Sequence, residues 1–208
     1  MRAAGRFVVA VSWIFALSAG VVQAEQAKMP QPPPVDPAKQ AALEAMQRLA
    51  SPSDAHKALE PFVGNWTYTA QWWTVPDAKP ETMTGTAATS LIFGGRFLKQ
   101  EIRGTAEGQP PFEGVGFTGY DNVRKTYQTV WFDNMMTGMM VGTGQFDAET
   151  STLSDQGTFS CPMTGQANRS FRSTFKVVDA NHVMYESYMD APQTPEFKTM
   201  EIRYTRAQ

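Results

Sequence analysis

The chain has 208 residues, with 18 Lys+Arg, 20 Asp+Glu, two His, one Cys, 12 Met and 14 Pro. Near-neutral charge excludes a basic nucleic-acid binder, which needs a positive footprint for phosphates. A single Cys excludes an intramolecular disulfide framework and a thiolate zinc finger.

Residues 1–24 read as a secretory leader, cleaved after Ala24. Arg2 and Arg6 are followed by an apolar run, Phe7 to Val22, and a small-x-small end, Val22-Gln23-Ala24. The run is short of the roughly 20 residues needed to span a bilayer, so no membrane span is expected in the mature protein. Without Arg2 and Arg6, 16 basic residues face 20 acidic ones, a balance of −4. The expected address is secreted or periplasmic. Residues 25–37 carry five of the prolines. Proline fixes φ and donates no amide hydrogen, so this stretch reads as an extended linker.

Residues 38–61 read as two helices. Leu43, Met46, Leu49 and Ala50 recur at helical spacing over 38–50. Ser51-Pro52-Ser53-Asp54 stops that helix and offers a cap for a second, 55–60, ended by Pro61. Residues 62–208 are rich in Thr, Val, Tyr, Phe and Trp, with turn residues roughly every ten positions. Ten strands are predicted: 65–75, 82–93, 96–104, 112–121, 125–133, 138–147, 151–161, 170–179, 182–190 and 196–206. Gly94-Gly95 and Asp121-Asn122 are expected to supply positive φ at turns. A meander with no helical crossover favours an all-β, up-and-down antiparallel barrel, because closure removes exposed edges. In the last strand, alternation groups Lys198, Met200, Ile202 and Tyr204 on one face.

His56-Lys57-Ala58-Leu59-Glu60 leads into Gly64-Asn65-Trp66. Gly94-Gly95-Arg96-Phe97-Leu98 opens a later strand. Gly119-Tyr120-Asp121 precedes Tyr127 and Trp131-Phe132-Asp133-Asn134, and the end reads Lys198 to Arg206 as KTMEIRYTR. In this order the motifs, over residues 54–206, resemble the DUF1579 family of bacterial proteins with no assigned function. The resemblance implies a calycin-like barrel. It also implies a structural pair in which Trp66 packs under Arg206 or Arg203 at the closed end.

Barrels of this size hold one apolar or amphipathic molecule, oriented by a few polar groups, or are filled by their own side chains. Trp72, Tyr127, Trp131, Phe117, Tyr188 and Met184 are candidate apolar walls. Arg172, Glu186 and Glu201 are candidate interior polar groups. The ligand-binding set is Trp72, Tyr127, Trp131, Glu186 and Arg172, for a small hydrophobic ligand. The acid–base alternative is a barrel enzyme using Glu186 or Glu201 with Tyr188. A third reading is a ligand-free interaction module. Met135, Met136, Met139 and Met140 surround Gly138 and suggest a thioether copper site. Alternation, however, sends Met139 and Met140 to opposite faces. His182 is the one late-strand histidine and the candidate haem ligand. Glu101/Arg103 and Glu201/Arg203 read as surface ion pairs. No phosphate loop, nucleophile elbow or dinucleotide fingerprint is present, so no cofactor is implied.

Overall fold

The computed structural model describes residues 36–191 and 194–208. The expected leader, and the linker up to residue 35, lie outside the described residues. Helix α1 (Pro37–Ala50) starts where the Asp36 carboxylate accepts from the Ala38 amide at 2.9 Å, with Pro37 at the first position. Its apolar stripe packs against nothing: Leu43, Met46 and Leu49 are all exposed. The second helix is shorter than expected. α2 covers only Asp54–Lys57, and a 3₁₀ turn, Glu60–Phe62, takes Pro61 into its first turn, where no amide hydrogen is needed. The Ser53 amide donates to His56 Nδ1 at 2.9 Å, which fixes the start of α2.

The ten strands are β1 (Gly64–Trp72), β2 (Glu81–Ile92), β3 (Phe97–Thr105), β4 (Phe112–Asp121), β5 (Thr126–Asp133), β6 (Met140–Asp147), β7 (Thr152–Phe159), β8 (Arg169–Val177), β9 (His182–Ala191) and β10 (Thr194–Arg206). Each pairs antiparallel with its neighbours in sequence, and β1 pairs with β10 to close the barrel. Three predicted strands run on two or three residues too long: the first, which ends at Trp72 instead of 75, and two that stop for local reasons. β7 stops at Phe159 because Cys161 turns into a loop, donating to Gln166 O (2.8 Å) and accepting from the Gly165 amide (2.9 Å). β8 stops at Val177 because Val178 and Asp179 both donate to His182 O.

The turn at Asp121-Asn122 works differently from the expectation. The Asp121 carboxylate accepts from the Val123 and Arg124 amides, and the positive φ falls on Lys125. Asn122 instead donates to the Leu49 and Ser51 carbonyls, tying down the end of α1.

α2 and the 3₁₀ turn plug the end of the barrel where β1 starts. Leu59 and Phe62 are fully buried, Phe62 stacks on Phe175, and Tyr127 Oη donates to Ala55 O at 2.6 Å. Trp66 Nε1 donates to Phe62 O. Arg206 lies 4.1 Å over the Trp66 ring and donates to Val63 O (2.8 Å) and Ala180 O (2.9 Å). Arg206, not Arg203, is therefore the arginine of the closing pair. The other end is termed open because no helix crosses it among the described residues; the chain turns there at 73–80, 106–111, 134–139 and 160–168.

Candidate functional site

Strand alternation and burial assign the lumen face. On β7 the inward row is Leu153, Asp155, Gly157 and Phe159, so one carboxylate stands among apolar and small residues. Ser173 holds the same place between Phe171 and Phe175 on β8, and Ser187 between Tyr185 and Met189 on β9. The register joins them: Gly144 faces Asp155, Asp155 faces Ser173, Ser173 faces Ser187, Ser187 faces Met200, and Met200 faces Trp72. A polar row of Asp155, Ser173 and Ser187 thus crosses three adjacent strands on the inside, flanked by Gly144 on one side and by Met200 and Trp72 on the other.

Asp155 anchors this row. Its carboxylate is hydrogen-bonded by Thr129 Oγ1 at 2.5 Å and by the Ser173 hydroxyl. Thr129 reaches it across Gly142. A Cβ at Gly142 would stand 2.7 Å from Thr129 Oγ1 and 3.0 Å from Asp155 Oδ2, so a side chain there would break the contact. Burial raises the Asp155 pKa, and the Ser173 and Thr129 hydroxyls only partly offset it. Tyr185 lies beside the row. Burial, reinforced by the Asp155 charge, pushes its hydroxyl up to about 12, so it remains a donor. Three lumen hydroxyls, Tyr68 Oη, Thr89 Oγ1 and Ser187 Oγ, are buried and complete no hydrogen bond of good geometry among the described residues, although the Tyr185 hydroxyl neighbours that of Ser187. Each such orphan costs about 1–3 kcal/mol.

Towards the open end the lumen turns apolar. Trp131 stacks on Phe112 at 6.4 Å, and its Nε1 donates to Asp133 at 2.8 Å. The indole lies against Gly114 and Gly116, where any Cβ would collide with it. Trp72, Met83, Met140, Met189 and Met200 share this half, with Phe159 and Phe171 buried beneath. The two most distinct concavities lie outside the lumen. One lies beside α1 at Glu44, Gln47 and Arg48; the other is a threonine-rich cleft on the outer face of β1, β2 and β10.

The expected binding set is divided among three places. Trp72 and Trp131 do face the open half of the lumen. Tyr127 faces inward too, but it is core: its hydroxyl is spent on Ala55 O under α2. Arg172 and Glu186 are corrections. Arg172 pairs with Tyr188, and Glu186 with Thr174 and Glu201, all on the outer face. Arg172 lies 3.8 Å over the Tyr188 ring and bonds Glu196 at 2.6 Å. Phe117, Met184 and Tyr188 likewise face out, with Phe117 against Phe132.

The acid–base alternative loses its interior geometry for the same reason. Glu186 and Glu201 both hold Lys198 Nζ, at 3.1 Å for Glu186, and Arg203 bonds Glu201 at 2.6 Å. The Lys198 hydrogen bond holds the Glu201 carboxyl below the usual range, against a smaller burial effect. Lys198 reaches this face because the register shifts at Thr199. Lys198 pairs with Tyr188 outside, whereas Met200, two residues on, pairs with Ser187 inside. The expected grouping of Lys198 with Met200 is thereby broken. His182 also points outward, at the closed end, bonded to Asp179 at 2.9 Å, so it cannot ligate a haem in the lumen. Glu101 pairs with Lys99 at 3.0 Å and Arg103 with Glu113 at 3.8 Å, both outside, as surface pairs.

A family model matches residues 51–206, a stretch that includes the whole barrel and its closing pair of Trp66 and Arg206. The chain belongs to the DUF1579 family. That family is described as a protein of unknown function. No curated protein matches the chain in sequence. Among solved structures, Rv2717c from M. tuberculosis is similar at TM-score 0.56 and 17% identity, over 76% of this chain and 100% of that one. An S-type phycobiliprotein lyase from Guillardia theta is similar at TM-score 0.52 and 8% identity, over 73% and 92%. At these identities the similarity shows the fold. Among the described residues, no helix is long and apolar enough to cross a membrane.

Proposed function

We propose that this DUF1579 member binds a small amphipathic molecule through the open end of its barrel. The carrying observation is the lumen row, where the half-buried Asp155 carboxyl is joined through Ser173 to the row position of Ser187, whose hydroxyl is unpartnered, with that of Tyr68 elsewhere on the same lumen wall. A ligand head group with both donors and acceptors satisfies these groups. Its apolar body lies against Trp72 and Trp131. The side chains at this mouth include Met83, Met140, Met189 and Met200, unbranched and able to give way to a ligand. That a phycobiliprotein lyase is built on the same architecture supports a role beyond that of a filled scaffold. We also propose that the protein is exported, on the basic start, apolar run and small-x-small end of residues 1–24.

The test is titration with 1-anilinonaphthalene-8-sulfonate, an amphipathic fluorophore, followed through its own emission and that of the tryptophans. One saturable site is expected, weakened at least about tenfold (1.4 kcal/mol) by Ser187→Leu, which fills the row. Equal affinity in Ser187→Leu and the parent would overturn the reading. So would equal loss in a variant of the outer cleft, Thr84→Leu.

A further inference from the structure

The methionine run 135–140 does not act as a unit. Met135 and Met139 are exposed, at 69% and 58%. Met136 and Met140 instead turn in and pack on a second, smaller core at the open end, made of Phe159, Cys161 and Phe171. Met189 packs on the same core from β9, facing Phe171 across the β8–β9 ladder. Three thioethers and the one thiol of the chain therefore share one small cluster with Phe159 and Phe171, drawn from four segments: the β5–β6 loop, β6, the loop after β7, and β9. Leucine or phenylalanine fills such space with better-defined rotamers.

Two features fit these sulfurs to a metal. The loop that carries Cys161 is closed on itself by the Cys161–Gln166 and Gly165–Cys161 backbone bonds, so the thiol is held in place. Arg169 Nη1 stands 3.6 Å from Cys161 Sγ and stabilises a thiolate. Its own side chain is fixed, Nε donating to Asp190 O at 3.1 Å. Hard and borderline ions are poorly served, because no group of three or more His, Cys, Asp or Glu side chains comes together among the described residues.

We propose that Cys161, Met136, Met140 and Met189 form a binding site for a soft monovalent ion, copper(I), at the open end of the barrel. Thiolate and thioether donors select Cu(I), which takes three or four sulfur ligands readily. On binding, the Cys161 thiol releases its proton to solvent, and the thiolate and the ion together add no net charge beside Arg169. The exposed Met135, Met139 and Met163 are outside the site.

The experiment is anaerobic titration of the purified protein with Cu(I) in competition with a chromophoric chelator, together with copper-edge X-ray absorption. One ion per chain, ligated by three or four sulfurs, is expected. Cys161→Ser, and separately the Met136→Leu/Met140→Leu/Met189→Leu combination, are each expected to weaken binding at least about tenfold. Leucine nearly conserves the methionine volume, so folding is retained. If the combination fails to fold, Met136→Leu and Met189→Leu are read singly. Met135→Leu/Met139→Leu is expected to leave the affinity unchanged. The proposal is overturned if the protein takes no Cu(I) from the chelator. It is overturned equally if the methionine variants bind as tightly as the parent, which would leave the cysteine alone, or if loss follows Met135 and Met139. Met140 and Met189 also stand at the lumen mouth, so the two readings are separated by Cys161→Ser, expected to leave the fluorophore affinity unchanged, and by Ser187→Leu, expected to leave the Cu(I) affinity unchanged.

Discussion

Asp155 is costly for the fold to keep, since burial works against its charged form and hydroxyls rather than a cation face it. Its folded-state pKa lies above its unfolded value, so the folded chain holds the proton more tightly. The associated stability is greatest below the ordinary carboxylate range and is lost as pH rises through the raised value. Asp155→Asn does not titrate there. The difference in unfolding free energy between parent and Asp155→Asn is therefore expected to shift against the parent from about pH 4 to about pH 8. Parallel curves over that interval would show that Asp155 is not buried as described. Gly142 belongs to the same contact: Gly142→Val is expected to destabilise the barrel by roughly 1–3 kcal/mol through overpacking, measured by urea unfolding. At the closed end, Arg206→Lys keeps the charge but loses the fork that reaches both Val63 O and Ala180 O while covering Trp66. A loss of about 1–3 kcal/mol is expected, with no change in fluorophore affinity.

The elements divide into a closed sheet and an appendage. α1 buries no residue and is held mainly by carbonyls at its end, which accept from Asn122 and from Arg96 Nε. A helix of this length has little stability of its own. Its amides are expected to exchange with solvent much faster than those of β8, β9 and β10, and Asn122→Ala to speed α1 alone. Matching protection along α1 and the strands would mean that its exposed stripe is covered. The ten strands and their meander were legible because alternation and turn residues repeat along the whole chain. The faces were less so. Thr199 carries a bulge that no residue type announces, and it moves Lys198 from the Met200 side to the outer ion-pair group. On β5, β7, β8 and β9 the inward rows were written in the sequence as one polar residue between two apolar ones: Thr129, Asp155, Ser173 and Ser187. Reading charged residues such as Glu186 and Arg172 as the ligand's partners passed over that quieter signal. Small hydroxyls and short carboxylates such as Asp155 are what a closed barrel admits, whereas long charged side chains reach solvent from the outer face.

At the scale of the molecule, one end is sealed and the other is not. The helical plug, Trp66 and Arg206 fix the closed end, and the aromatic and methionine side chains of the open half leave the polar row as the floor beneath them. The outer face of β8 to β10 carries two ion-pair groups, Arg172–Glu196 and Glu186–Lys198–Glu201–Arg203, and in the second Lys198 and Arg203 cover the buried Glu201 carboxylate. The central claim is that the lumen binds a small amphipathic molecule. Native mass spectrometry of the protein, purified gently from its own host and compared with its denatured mass, tests it most directly. A reproducible added mass is expected, lost on denaturation and lost in Ser187→Leu. A bare polypeptide mass, together with no gain in mass or stability on adding host extract, would contradict the claim and leave the barrel as a filled core.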